Sequence, residues 1–259
     1  MTHEAPPPVP PAAIAAPRLR EPIVTFFVAT ALASALYWLG RVVPIVGANL
    51  HAAIAMIFLT APALAARLAQ RPFDYEAAGL RLEPIGRGLA VLGVAIVLTW
   101  PLFFIGFIAY YQTVCGALHS PLMGRIVDWL TPQCAHFRGL ALAHVRLPDD
   151  FLLGLATQIL VVAVPEELFF RGYLQGRFDA CFAPRWRVFG AEVGPGWLLS
   201  ATLFALGHVL VDFNPARFAV FLPGLVFGWM RARSGALAAG ALYHALCNVY
   251  SDLMHHAFF

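Results

Sequence analysis

Residues 151–175 read FLLGLATQILVVAVPEELFFRGYLQ, an apolar run with Glu166, Glu167 and Arg171 set inside it. About 20 consecutive apolar residues make a membrane-spanning helix. A charged side chain at that depth costs on the order of 3 kcal/mol unless it is paired or serves chemistry. Two further apolar runs are interrupted in the same way, by Phe204-Ala-Leu-Gly-His208 and by His244-Ala-Leu-Cys-Asn248. Two Glu, one Arg, two His and one Asn on three successive apolar segments read as one buried site assembled from several transmembrane helices.

Composition agrees. The chain of 259 residues is 60% hydrophobic and only 12% charged, with a mean hydropathy of +0.74. Soluble domains carry roughly 25% charged residues, so this is an integral membrane protein. All 17 basic residues are Arg, which with abundant Ala and Pro fits high-GC codon usage and a bacterial inner membrane. A formal charge of +3 without a basic tract excludes a nucleic-acid partner. The first 22 residues hold seven Pro and no apolar core, so a disordered cytoplasmic tail is expected over 1–22 rather than a signal peptide. The four Cys (115, 134, 181 and 247) lack metal or redox spacing.

The expected fold is all-α, a polytopic transmembrane bundle of about seven spans (six to eight) forming one domain over 23–259. The spans are Ile23–Leu39, Val42–Leu68, Gly88–Leu118, Phe151–Phe170, Trp197–Val211, Phe218–Met230 and Ala236–Phe259, the fifth and sixth separated by a turn at Asp212–Arg217. With the N-terminus inside, twelve Arg fall on inner segments and five on outer ones, so the positive-inside rule predicts N-in, C-out. In the long outer loop, Leu122–Leu130 is amphipathic and suited to lie at the interface. An oxidising exterior would let Cys115 and Cys134 form a disulfide. At 1.5 Å per residue, His208 lies about 16 Å and His244 about 12 Å from the inner ends of their spans, and Glu166 about 6 Å or more. All three clusters are therefore expected in the inner half of the membrane.

Glu167 and Arg171, at i,i+4, share a helix face and can pair. Glu166 is rotated about 100° away and stays unpaired in an apolar setting, which suits a general base. Phe204 sits one turn before His208 and reads as packing. His244 and Asn248 again share a face and can donate two hydrogen bonds to a developing oxyanion. Each cluster alone also fits a structural role, as a charged helix end or an interhelical hydrogen bond.

The ordered set Glu-Glu-x-x-x-Arg, Phe-x-x-x-His, His-x-x-x-Asn resembles the CPBP family, the CAAX-processing endopeptidases and bacteriocin-processing relatives also called Abi proteins. The resemblance covers about Phe151–Tyr250. It implies an intramembrane glutamic endopeptidase acting on a membrane-associated or lipidated protein substrate within the bilayer. On the matching positions it implies that Glu166 activates water with His208 assisting, that His244 and Asn248 stabilise the oxyanion, and that Glu167, Arg171 and Phe204 support the site. Val164-Pro165 before the Glu pair and Arg171-Gly172-Tyr173-Leu174-Gln175 after it are also similar to sorting-type, myxosortase-like members, which are thought to remove C-terminal anchoring tails from exported proteins.

Two other readings stay open. Two His and a Glu can bind Zn²⁺ with a water, although the chain has no His-Glu-x-x-His; the expectation is no metal. A non-catalytic scaffold or immunity protein would keep the fold without needing the motif residues, and here every one is present. A transporter would want internal repeats, and there are none.

Overall fold

The computed structural model describes residues 19–82, 84–116, 124–125, 131, 134, 136–137, 139, 147 and 149–259. The Pro-rich residues 1–18 and most of the amphipathic stretch Leu122–Leu130 lie outside them. The chain forms α1 (Arg20–Gly40), α2 (Pro44–Ala48), α3 (Leu50–Leu68), α4 (Ile85–Gly116) and a long rod, α5 (Phe151–Cys181). A hairpin of β1 (Trp186–Val188) and β2 (Ala191–Val193) follows. Then come α6 (Pro195–Asp212), a 3-10 turn (Pro215–Val220), α7 (Phe221–Ser234) and α8 (Ala238–Phe258).

Helices α1, α3, α4, α5 and α6 are long and apolar enough to cross a membrane. The expected second span, Val42–Leu68, is broken at Asn49 into α2 and α3. Helix α7 has only 14 residues, and α8 has 21 but carries His244, Asn248, Asp252, His255 and His256. Their packing supplies what length and apolarity do not. Helices α4 and α8 run parallel: Gly88 meets Ala239 near their starts, and Phe107 meets Phe258 near their ends. α1 and α6 are also parallel, since Ser34 Oγ donates to the Val211 carbonyl (3.2 Å) and Trp38 stacks on Phe213. α5 runs antiparallel to α8, with Gln158 against Asn248 and Glu167 against Gly240. Thus α1, α4, α6 and α8 point one way and α3, α5 and α7 the other. This is the alternation expected of seven successive crossings.

The fourth span needs correction. Its helix continues to Cys181, eleven residues past the expected end at Phe170. Arg171 and Gln175 end the hydropathy run, yet both are buried because their side chains find carbonyls on α7. Arg171 Nη2 donates to Gly224 and Gln175 Nε2 to Gly228, each at 3.2 Å. The two donors and the two acceptors are both spaced i,i+4, so the helices mesh in register. Only glycine allows it: a Cβ on Gly228 would lie 2.6 Å from Trp197 Cδ1 and 2.7 Å from Gln175 Oε1. Glu166 therefore sits fifteen residues from either end of the rod, about 22 Å along it, rather than near the inner end.

The two ends of the bundle differ in chemistry. At one end the carboxylate of Glu21 on α1 holds Arg71 and Arg177. There Arg231 also donates to the Ala78 carbonyl (3.2 Å), and Arg81 to that of Gly235 (3.1 Å). Gly79, at φ +100°, lets this loop turn under Arg231, and its carbonyl accepts from the Leu237 N–H (2.8 Å). The unexpected hairpin lies at the same end, where Phe189 and Gly190, both at positive φ, make the two-residue turn. At the opposite end Cys115 and Cys134 form the disulfide that an oxidising exterior would allow, with Cα atoms 5.0 Å apart. The turn after α6 is there too, closed by Arg217 Nη1 on Asp212 (2.9 Å).

Candidate active site

Helix α5 carries the acidic pair in a four-residue α-helical segment, Val164–Glu167, between two π-helical stretches, Gln158–Ala163 and Leu168–Gln175. Such widened turns are uncommon and gather at functional sites. Ser200 Oγ on α6 donates to the Phe170 carbonyl inside the second of them (2.7 Å), pinning α5 to α6 beside the site.

Glu167 is the hub. Its Oε1 accepts from Arg171 Nη1 (2.8 Å) and from His244 Nδ1 (3.0 Å), and the three side chains are 5% exposed or less. A carboxylate only accepts, so Nδ1 of His244 carries the proton. In the neutral ring Nε2 is then a lone-pair nitrogen, and it stands 3.8 Å from Glu166 Oε2. That gap is too long for a hydrogen bond and suits a bridging water. His208 is prepared in the same way: its Nδ1 donates to the Phe204 carbonyl (2.8 Å), leaving Nε2 available.

Glu166, one residue from the hub, is differently placed. Its Oε2 is buried and has no hydrogen-bond partner among the described residues. It interacts electrostatically with His208 and with Arg171. Aromatic rings wall the site. The Arg171 guanidinium lies 4.1 Å from the Phe204 ring and 4.9 Å from Phe227, so its charge is balanced by ring faces as well as by Glu167. Phe204 also packs edge-on against His208 (4.5 Å), and Phe227 stacks on His244 (4.6 Å). Asn248 is on the same face as His244, but its Nδ2 is held by Gln158 Oε1 (2.9 Å). Among the described residues no three His, Cys, Asp or Glu side chains gather in a metal-binding group.

Residues 148–250 match the family described as Rce1-like, type II CAAX prenyl endopeptidase. That segment is a CAAX-protease-family domain. All three motifs fall within it, whereas α1 to α4 precede it. No curated protein and no solved structure matches the chain.

The family domain thus brings Glu166, Glu167, Arg171, Phe204, His208 and His244 to one locus, with Asn248 at its edge. Three contributors escaped the motif reading. Gln158 was detectable as a polar side chain stranded in an apolar run. Phe227 carries no sequence signal, because an aromatic against a histidine looks like one against lipid. His51, a lone titratable residue at the start of α3, lines a small cavity together with Glu166.

Proposed function

We propose that the chain is an intramembrane endopeptidase that hydrolyses a peptide bond near the C-terminus of a membrane-associated or lipidated protein. The reading rests on one observation above the others: of two adjacent buried carboxylates, Glu167 is saturated and Glu166 Oε2 is unpartnered 3.8 Å from a free imidazole nitrogen. Glu166 takes a proton from a water lodged between it and the two Nε2 atoms, His208 orients that water, and the hydroxide attacks the substrate carbonyl. The oxyanion is met by the second N–H of Asn248. His244 joins when the proton held by Glu166 is shared with its Nε2, an imidazolium that Glu167 stabilises from the far nitrogen. That proton then passes from the Glu166–His244 pair to the departing amine.

The proposed chemistry needs no metal. Binding Zn²⁺ through His244 Nε2 would put the ion between Glu166 and His244 and make Glu166 a ligand rather than the base assigned to it. We place the Arg-rich end in the cytoplasm and the Cys115–Cys134 end outside, in a bacterial inner membrane, because arginines concentrate inside and disulfides persist in oxidising surroundings. The sorting-type reading, with the anchoring tail of an exported protein as substrate, is favoured as a second version by the position of Glu166 at the middle of α5.

The test is mass spectrometry of membrane-protein C-termini from cells with the protein, without it, and with Glu166→Gln. Truncated C-termini should require the wild-type protein and vanish with the near-isosteric variant, a loss of about 10²–10⁴-fold for a missing general base, while the variant accumulates normally. Cleavage by Glu166→Gln at the wild-type rate rules out the assignment, and equal C-termini in all three favour the scaffold. Chelator-treated protein should keep its activity; recovery only on adding zinc would instead establish the metalloprotease. Reporter fusions at Arg81 and after Phe259 should report cytoplasm and exterior respectively, and a cytoplasmic C-terminus would refute the orientation.

A further inference from the structure

Hydrolysis in a membrane needs a route for water as well as a base, and the groups that could form one are few. Glu166 lines a cavity of about 60 Å³ between α3 and α5, bounded by Ala55 and Phe58 on α3, by Val162 on α5, and by His51. A water needs roughly 10–15 Å³ of such volume, so the cavity has room for on the order of four. Its polar side chains stand at opposite ends. His51 is exposed at the second residue of α3, beside the Asn49 break where the chain turns back. At the other end stands Glu166, whose buried Oε2 has no hydrogen-bond partner among the described residues. The α3 segment from His51 to Phe58 is two helical turns, about 10 Å. Because α3 runs parallel to α5, with His51 against Val161–Val162 and Phe58 against Phe169, the His51 end is the disulfide end of the bundle.

The other opening near the site has different chemistry. A groove of about 210 Å³ at the Arg-rich end is bounded by Leu80, Leu82, Val164, Leu237 and Ala241, with Arg81 the one charged residue around it. Among the described residues neither Glu166 nor a histidine borders it, so it does not lead to the unpartnered carboxylate.

We infer that the hydrolytic water reaches Glu166 through the α3–α5 cavity, entering past His51 from the disulfide end, and that His51 is a positioning residue which keeps the cavity mouth hydrated. This rests on Glu166 being the base, but it assigns a route and a side that the reading of Glu166 leaves undetermined. Ala55, buried at 7% exposure, lines the cavity together with Glu166 and carries no polar group of its own.

Thiol labelling tests the route without measuring activity. In sealed vesicles of each orientation, Ala55→Cys should react with a small, membrane-impermeant thiosulfonate from the disulfide side, the labelled peptide being located by mass spectrometry so that Cys181 and Cys247 stay in place. Ala241→Cys, on the groove, should resist the reagent from that side. Labelling of Ala55→Cys from the Arg-rich side alone, or from neither side, overturns the proposal while leaving the role of Glu166 intact. A kinetic arm complements it. Ala55→Leu fills the cavity and should lower kcat about tenfold or more with KM little changed, while Ala55→Ser retains the wild-type kcat. His51→Asn, which keeps a polar mouth, should retain most of the kcat that His51→Leu loses. A folded Ala55→Leu enzyme with wild-type kcat, or His51→Asn as slow as His51→Leu, refutes the route or the role of His51 respectively.

Discussion

Glu21 and Glu167 make nearly the same contacts at opposite depths. Glu21 holds Arg71 and Arg177 and accepts from Tyr173 Oη (3.1 Å); Glu167 holds Arg171 and accepts from His244. The side chains around Glu21 keep 18–30% of their exposure, and those of the Glu167–Arg171 pair keep 1% or less. Around Glu21 the partners retain part of their hydration, so the cluster acts as a clasp between α1, the segment after α3, and the end of α5. Around Glu167 the partners are almost wholly buried, so a lost partner leaves an uncompensated charge. The first cluster tunes stability; the second is a condition for the bundle to close and for His244 to face Glu166.

The largest effect should come from Arg171→Ala. Removing one member of a buried pair leaves the other charge uncompensated and costs about 3–5 kcal/mol. Yield and melting temperature in detergent should both fall sharply, and a wild-type melting temperature would show that Glu167 does not need its partner. The intermediate case sharpens the contrast. Glu167→Gln with Arg171→Met removes both charges and should be more stable than Arg171→Ala alone, since neutral replacement of a buried pair is often tolerated. It should remain inactive, because His244 loses the acceptor that orients it. Recovery of activity would make Glu167 dispensable to the chemistry. The smallest effect should be that of Glu21→Gln. Partly exposed ion pairs contribute about 0.2–1 kcal/mol each, so the melting temperature should drop by only a few degrees and less so at high salt. A collapse as severe as that of Arg171→Ala would erase the distinction between the two clusters.

Much of this was legible in the chain itself. A carboxylate pair with an arginine one turn later, inside an apolar run, is intelligible only if that arginine is paired, and Glu167 Oε1 meets Arg171 Nη1. The one-residue step of about 100° that separates the two faces, one carboxylate satisfied and one not, follows from helix periodicity. The helix end at Asp212 was also readable from local turn chemistry, whereas cysteine placement only allowed the Cys115–Cys134 bridge, and the approach of the two Cα atoms to 5.0 Å decided it. The continuation of α5 to Cys181 was not. Hydropathy scores Arg171 and Gln175 against water, whereas their true surroundings are two carbonyls on a helix some fifty residues later.

By itself the sequence determined the class of fold, the alternation of apolar segments, and the set of side chains available for chemistry, because burial cost and helical spacing are local properties. Tertiary structure alone decided which partner each polar group takes. His244 Nδ1 goes to Glu167, Asn248 goes to Gln158, and Phe227 covers the imidazole. It also decided that Glu166 Oε2 is left without a partner among the described residues and that Glu166 lines a cavity with His51. The reason is physical: a hydrogen bond needs its two atoms within about 3 Å, and only the crossing of α3, α5, α6 and α8 brings residues so distant in the chain to that separation.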